Sequence, residues 1–309
     1  MIREISYGSK TEWLELRKHY IGGSDAGSVV GMNPYRGAYA LWAEKTGQLP
    51  GFEGNLATEV GSYLEEFVAK KFEAETGKRV RRKNRMLVND KYPFACADVD
   101  RVIVGEDAIL ECKTTSSPPV MRALRKGGDE FPEIYYAQCV HYLAVTEKQR
   151  VYLAVLVSNR EFRRYILERD EAEIEALMNA ERDFWARVKN KIPPAVDGSD
   201  SCSETLETIY ARETGETVPV YGLEGQIRAY LAYGEQVKAV KAMQTEAANA
   251  IKAALGNNSY GECTGYKVSW TETNRSSFDT KAFQQAYTGI DLTPFYKNSV
   301  SRTLRIKEI

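Results

Sequence analysis

The sequence predicts an α/β protein: a central mixed β-sheet flanked by helices, followed by a helical extension with a small β unit. Three observations carry this. Residues 98–115, DVDRVIVGEDAILECKTT, hold two runs rich in β-branched residues around a Gly-Glu-Asp turn, the pattern of a β-hairpin. Two further runs, VYLAVLV (151–157) and FRRYILE (162–168), flank a turn at Ser158, Asn159 and Arg160. Around them lie stretches with apolar residues at helical spacing, the longest at 56–76 and 223–255.

In chain order, Ser9-Lys10-Thr11-Glu12 is a capping box that opens a first helix reaching Tyr20, with Trp13, Leu16 and Tyr20 on one side. Gly22-Gly23-Ser24-Asp25 breaks and restarts the chain. A short helix, a turn at Asn33-Pro34-Tyr35 and a helix ending near Gly47 follow. From Leu56 to Thr76 the spacing puts Val60, Leu64, Phe67, Val68 and Phe72 on one stripe, capped by Gly77. At about 100° per residue Glu65 falls on the shoulder of that stripe and Glu66 points away from it. A basic strand over KRVRRKNR (78–85) and the hairpin come next, then a helix over 132–146 with Tyr135, Cys139, Tyr142 and Leu143 on its apolar face. Gln138 and Tyr142 stand one turn apart on it. A helix over 170–189 closes this unit.

KIPPAVDGSDS (191–201) has the composition of a linker. The expected organisation is a domain over 1–190, a linker over 191–205 and an extension over 206–309. In the extension, the helix over 223–255 carries Ile227, Leu231, Val237, Val240, Met243, Ala247, Ile251 and Leu255 on its apolar side. GYKVSW, a short helix after Asp279 and a final strand near SRTLRIK follow it.

Composition narrows the chemistry. The chain has 309 residues, 43% hydrophobic and 28% charged, as in ordinary globular proteins, and it contains no apolar run of membrane-spanning length. MIREISYGSK lacks the apolar core of a signal peptide, so a cytoplasmic protein is expected. Five cysteines without a C-x-x-C pair disfavour a disulfide framework, a structural zinc and an iron–sulfur cluster. With two histidines, His19 and His141, nucleophilic pairs built on imidazole have little material, so hydrolysis would lean on carboxylates. The net charge of −1 argues against a wholly basic nucleic-acid binder. Lys78, Arg79, Arg81, Arg82, Lys83 and Arg85 nevertheless form a run without an acid, either a solvated strand face or a phosphate track.

On a strand, residues two apart share a face, so Glu111 and Lys113 lie together and Cys112 lies opposite. The hairpin folds them back beside Asp100. An exposed cross-strand salt bridge is one reading. The other is a metal site in which two carboxylates hold Mg²⁺ and the lysine acts on a water or a phosphate.

Glu65 on a helix, Asp100 and Glu-Cys-Lys on a hairpin, and Gln138-x-x-x-Tyr142 on the next helix stand in the order of a known constellation. The chain resembles the YqaJ-like viral recombinase family, grouped with the lambda-type exonucleases in the PD-(D/E)xK nuclease superfamily. The resemblance rests on IGGSDAGSVVGMNPY, ADVDR, LECKT and, in the tail, GYKVSW with SSFDTKAF. It departs from the literal Pro-Asp of the superfamily by having Val99 before Asp100.

The resemblance implies a PD-(D/E)xK, restriction-endonuclease-like core. It also implies that Asp100, Glu111, the backbone carbonyl of Cys112 and Glu65 hold Mg²⁺, as two ions, with Mn²⁺ able to substitute. Asp98 is the rival aspartate. Lys113 would orient or deprotonate the attacking water, and Gln138 would donate to a phosphate oxygen or the nucleophile. Arg17 and Ser24 align with groups that hold a terminal 5′-phosphate; Arg81, Arg82, Lys83, Arg85 and Tyr142 are expected on DNA. The implied function is a phage-type 5′-to-3′ exonuclease on duplex DNA, releasing 5′-mononucleotides in recombination and encoded by a phage or prophage of a bacterial host. A ring-shaped trimer and a single-strand annealing protein are the implied partners. A restriction-like or structure-specific endonuclease on the same core, or a catalytically silent DNA-binding module, are the alternatives.

Overall fold

The computed structural model describes residues 1–51, 54–297 and 300–306. The chain divides into two compact units, Met1–Ala211 and Arg212–Ile309.

The first unit opens with strand β1 (Ile2–Ile5) and helix α1 (Lys10–Arg17). Ser9 caps α1 by accepting from the Glu12 N–H at 3.1 Å. The helix stops at Arg17, not Tyr20: the N–H groups of Lys18, His19 and Tyr20 turn to carbonyls three residues back, which tightens the last turn. The chain then enters β2 (Ile21–Gly22), α2 (Gly23–Val29) and α3 (Ala38–Lys45).

Helix α4 (Leu56–Thr76) ends at Gly77, which adopts φ +70°. Its apolar stripe is buried only in its second half. Val68, Ala69 and Phe72 pack on the sheet, whereas Val60 and Phe67 are 43% and 52% exposed. The basic segment forms a short edge strand, β3 (Val80–Arg82), rather than one over 78–85. Strands β4 (Met86–Asn89), β5 (Ala95–Ala97), β6 (Arg101–Ile103) and β7 (Ala108–Thr115) follow. The unit continues through α5 (Pro118–Gly127), α6 (Glu133–Thr146), β8 (Arg150–Val157), β9 (Glu161–Glu168), α7 (Glu171–Asn190) and α8 (Asp200–Ile209).

The central sheet has the order β3-β6-β7-β8-β9 and is mixed: β7 and β8 run parallel and the other pairs antiparallel. The predicted hairpin is β6–β7, with Arg101 opposite Leu110 and Val102 opposite Ile109. Alternation divides the residues of β7. Ala108 and Leu110 pack under α4 with Phe72, Ile103 and Tyr152; Ile109 faces the core that contains α6. A second sheet, β1-β4-β5-β2, brings Ile21 and Gly22 alongside Ala95 and Cys96. Helix α6 is buried on all sides over Cys139–Thr146, not on one face, because β4, β5, α2, α7 and the central sheet surround it.

Helix α8 occupies sequence expected to be a linker and its boundary. Cys202 and Thr205 are buried in it, and Ser201 Oγ accepts from the Gly37 N–H at 3.0 Å, so the unit extends to Ala211. The second unit holds α9 (Glu224–Leu255), the hairpin β10 (Tyr260–Cys263) and β11 (Tyr266–Ser269), α10 (Thr280–Ala286) and a 3₁₀ turn at Thr293–Phe295. The expected final strand is absent from residues 301–306, and Lys307 lies outside the described residues. Among the described residues no helix is long and apolar enough to cross a membrane, and all five cysteines are free thiols.

Candidate active site

Where β6 begins, Asp100 sits against the middle of β7: its Oδ2 accepts from the Cys112 N–H at 2.8 Å. Glu111 is 3% exposed, and Lys113 Nζ lies 2.6 Å from its Oε1. Burial and the facing charges of Glu111 and Glu65 push the Asp100 carboxyl well above its usual range. Burial pulls the Lys113 ammonium down, but Glu111 and Asp100 outweigh it and raise the group. Cys112 turns to the opposite face, against the α4 cluster. The structure therefore brings Asp100, Glu111 and Lys113 together.

Asp98 is not part of this group. Its carboxyl lies near Trp13 and the Arg17 charge, and its Oδ1 is buried without a hydrogen-bond partner. Glu65 comes close enough to act on Asp100, yet its carboxylate is held by the Arg101 guanidinium. Arg101 is 3% exposed and also reaches Glu66 Oε2 at 3.0 Å. Its position as an electrostatic clamp between α4 and β6 was not anticipated, though the Asp-Arg step is plain in the sequence.

The donor chemistry suits a hard cation. Asp100, Glu111 and Glu65 offer oxygen only, and Glu111 Oε2 is buried with no hydrogen-bond partner, an orphan that a cation would satisfy. As arranged, Lys113 occupies Glu111 and Arg101 occupies Glu65. Among the described residues no three His, Cys, Asp or Glu side chains stand in a metal-holding group.

Helix α6 contributes Gln138 and Tyr142 in roles different from those expected. Gln138 Nε2 donates to Glu111 Oε1 at 2.8 Å and to Tyr142 Oη at 3.0 Å, so both amide hydrogens are engaged and none is left for a phosphate. Tyr142 is 5% exposed and donates to the Asp98 carbonyl at 2.9 Å. It is a buried strut, not a surface for DNA, because its ring packs on the backbone of Gly23. A Cβ on Gly23 would stand 2.9 Å from Tyr142 Cζ. Gly23→Ala should therefore cost about 1–3 kcal/mol of stability. Urea denaturation checks this, and a midpoint equal to that of the unaltered protein would mean that α2 and α6 part without strain.

Arg17 and Ser24, seven positions apart and expected at one anion site, do meet: Arg17 Nη2 donates to Ser24 Oγ at 2.7 Å. The guanidinium lies over the Trp13 ring, 4.9 Å from its centroid, and against Gly22, where a Cβ would stand 2.8 Å from Nη2. Of the expected DNA contacts, Arg81 and Arg85 are exposed. Arg82 pairs with Glu66 at 3.0 Å and Lys83 with Glu4, so half of the basic run is already engaged.

A mixed sheet with an acid–lysine cluster on its hairpin, under a helix that also carries an acid, is the PD-(D/E)xK-like fold of phage-type exonucleases. The alkaline exonuclease LHK-Exo from Laribacter hongkongensis superposes with a TM-score of 0.50 at 22% identity, over 59% of this chain and 94% of that one. Its complex with dAMP superposes with a TM-score of 0.51 at the same identity and coverage. The YqaJ-like viral recombinase domain matches residues 12–149. YqaJ of Bacillus subtilis (strain 168), an uncharacterized protein, is 37% identical over 308 residues, covering 97% of this chain and 95% of that protein. The chain belongs to the YqaJ-like viral recombinase family.

Proposed function

We propose that the protein is a Mg²⁺-dependent exonuclease that degrades duplex DNA from phosphorylated 5′ ends and releases 5′-mononucleotides in phage-type recombination. One observation carries the reading. A hydrogen-bonded chain, Glu111–Gln138–Tyr142–Asp98 carbonyl, runs from the acid–lysine cluster to a tyrosine whose ring packs on Gly23, next to Ser24 of the Arg17–Ser24 pair, which supports one frame for the proposed metal and anion sites.

Asp100, Glu111 and the Cys112 carbonyl would hold the metal, with Glu65 as a further oxygen donor; Mn²⁺ suits the same donors, and a second ion belongs to the proposal. When bound, Mg²⁺ supplies Lewis acidity at the phosphate and a water of lowered pKa. Gln138 keeps Glu111 aimed at the cluster, and the Lys113 ammonium balances the acids and stands ready to orient the attacking water. Arg17, with the Ser24 hydroxyl, offers charge-assisted hydrogen bonds to a terminal phosphate. Arg81 and Arg85 suit the flanking backbone phosphates. That LHK-Exo forms a complex with dAMP supports a nucleotide as a ligand of this fold. A trimeric ring around the DNA and a phage annealing protein as partner, in the bacterial cytoplasm, complete the proposal.

The test is digestion of end-labelled linear duplex carrying either a 5′-phosphate or a 5′-hydroxyl. The phosphorylated end should be degraded faster, and Arg17→Ala should remove that preference. A charge-assisted hydrogen bond contributes roughly 1.5–3 kcal/mol, so the phosphorylated substrate should slow by about tenfold to a few hundredfold. Equal slowing of both ends would remove Arg17 from the phosphate. Cleavage of covalently closed circles would favour an endonuclease.

A further inference from the structure

The Arg17–Ser24 pair is built around a buried acid. Asp25 follows Ser24 and is 2% exposed. Its Oδ2 accepts from the Gly22 N–H at 3.1 Å, lies 2.9 Å from Lys45 Nζ and 3.6 Å from Arg17 Nη2. Oδ1 takes the Arg36 guanidinium, whose other end reaches Glu44 at 2.9 Å. Three cations thus converge on one buried carboxylate, with Glu44 facing Arg36 and the Asp98 carboxyl near Arg17.

Lys45 is tied to Arg17 twice. Besides Asp25, its Nζ donates to the Arg17 carbonyl at 3.0 Å and to the Tyr20 carbonyl at 2.7 Å, capping the tightened end of α1. Asp25 thereby fixes the backbone of Arg17 through Lys45 and faces its guanidinium directly. Arg36 makes four hydrogen bonds within the protein, Nε donating to Ser28 Oγ at 3.2 Å and Nη2 also to the Ser24 carbonyl at 3.5 Å. The Arg17 side chain donates one hydrogen bond, to Ser24, and is 22% exposed. It is the member of the cluster left to meet a ligand.

We infer that Asp25, acting through Arg17 and Lys45, is the positioning residue that sets selectivity for phosphorylated 5′ ends; the inference rests on the proposed role of Arg17 and Ser24. A long arginine side chain that is free before binding loses rotamer freedom when it grips a phosphate, whereas one already held by Trp13, Gly22 and the Asp25 cluster loses little. The carboxylate supplies the holding force and leaves Arg17 with unspent donors for the ligand. The three cations, undisturbed, would otherwise repel one another.

The experiment measures binding of a short labelled duplex, in 5′-phosphate and 5′-hydroxyl forms, to the full chain by fluorescence anisotropy with EDTA present. Cleavage then plays no part. Asp25→Asn keeps the size of the side chain and an oxygen for the Gly22 N–H, but cannot hold three cations. It should lower the ratio of the two affinities by roughly threefold to tenfold, the entropy of ordering about one long side chain. Affinity for the hydroxyl end should hold or rise, because a negative charge has been removed.

A lower melting temperature with an unchanged ratio would make Asp25 a purely structural ion and overturn the inference. A raised ratio would overturn it too, by making Asp25 a competitor of the phosphate. Absence of any preference in the unaltered protein would remove the role of Arg17 itself, and the inference with it. Should Asp25→Asn fail to fold, Lys45→Met decides by the same ratio: a fall supports the positioning role and no change defeats it.

Discussion

Lys113→Ala is expected to lower cleavage of 5′-phosphorylated duplex by about 10²–10⁴-fold while leaving the protein folded. The side chain is 25% exposed and lies on the face of β7 away from the α4 core, so its loss opens no apolar cavity. Its ammonium is 2.6 Å from Glu111 Oε1, beside the raised carboxyl of Asp100, where it offsets two acids in a site with little water. Removal leaves those acids facing each other. Mg²⁺ binding, followed by calorimetry, should therefore persist or tighten in this variant, whereas Glu111→Ala should lose both metal binding and turnover. Near-normal single-turnover rates in either variant would exclude this cluster as the reaction centre.

Glu181→Ala should be among the most destabilising single substitutions in the first unit. His141 and Glu181 are both fully buried, with Nδ1 2.8 Å from Glu181 Oε1 and Nε2 donating to the Cys96 carbonyl at 2.9 Å. Burial pulls the imidazole down and the Glu181 charge more than reverses it; burial raises the Glu181 carboxyl as well. Removing one partner of such a pair strands the other, a loss of about 3–5 kcal/mol. At roughly 2–4 °C per kcal/mol for a unit of this size, melting should fall by about 6–20 °C. Replacing both residues by leucine should recover much of that, since two desolvated polar groups leave together. A fall of only a degree or two for Glu181→Ala would mean that the Cys96 carbonyl alone satisfies His141.

Local pattern made the long elements legible. The 56–76 helix with its Gly77 cap, the 133–146 helix, the hairpin and the β8–β9 pair each carry their signal within their own residues. Strands β1 and β2 are four and two residues long and exist because distant segments pair, Ile2 with Asn89 and Ile21 with Ala95; β4 and β5 pair with each other across a short turn, but at four and three residues carry too little pattern to stand out. Helix α5 was missed, although its two N-terminal prolines are a start signal. Helix α8 hides behind the Pro/Gly-rich stretch that precedes it. At the site, strand alternation put Glu111 beside Lys113, and the hairpin put Asp100 beside both. The apolar face put Tyr142 inside and helical spacing put Gln138 one turn from it, but the engagement of Gln138 with Glu111 depends on the approach of α6 to β7, and the gathering of cations on Asp25 on that of α1 and α3 to α2. Sequence spacing carries no information about such contacts. The chemical hint was available at Gly22-Gly23, where a Cβ would collide with Arg17 or Tyr142.

Helix α6 does for this protein what a gauge block does for a machinist. Gln138 touches the acid cluster, and one turn later Tyr142 touches both the Asp98 carbonyl and the Gly23 backbone next to Ser24. The rise of one helical turn, about 5.4 Å, is therefore built into the separation of the two ends of the site. That rise cannot stretch without breaking backbone hydrogen bonds, and the His141–Glu181 tie in the same turn resists sliding. The spacing between the acid cluster and the Arg17–Ser24 region is therefore held by a piece of secondary structure rather than by a loop.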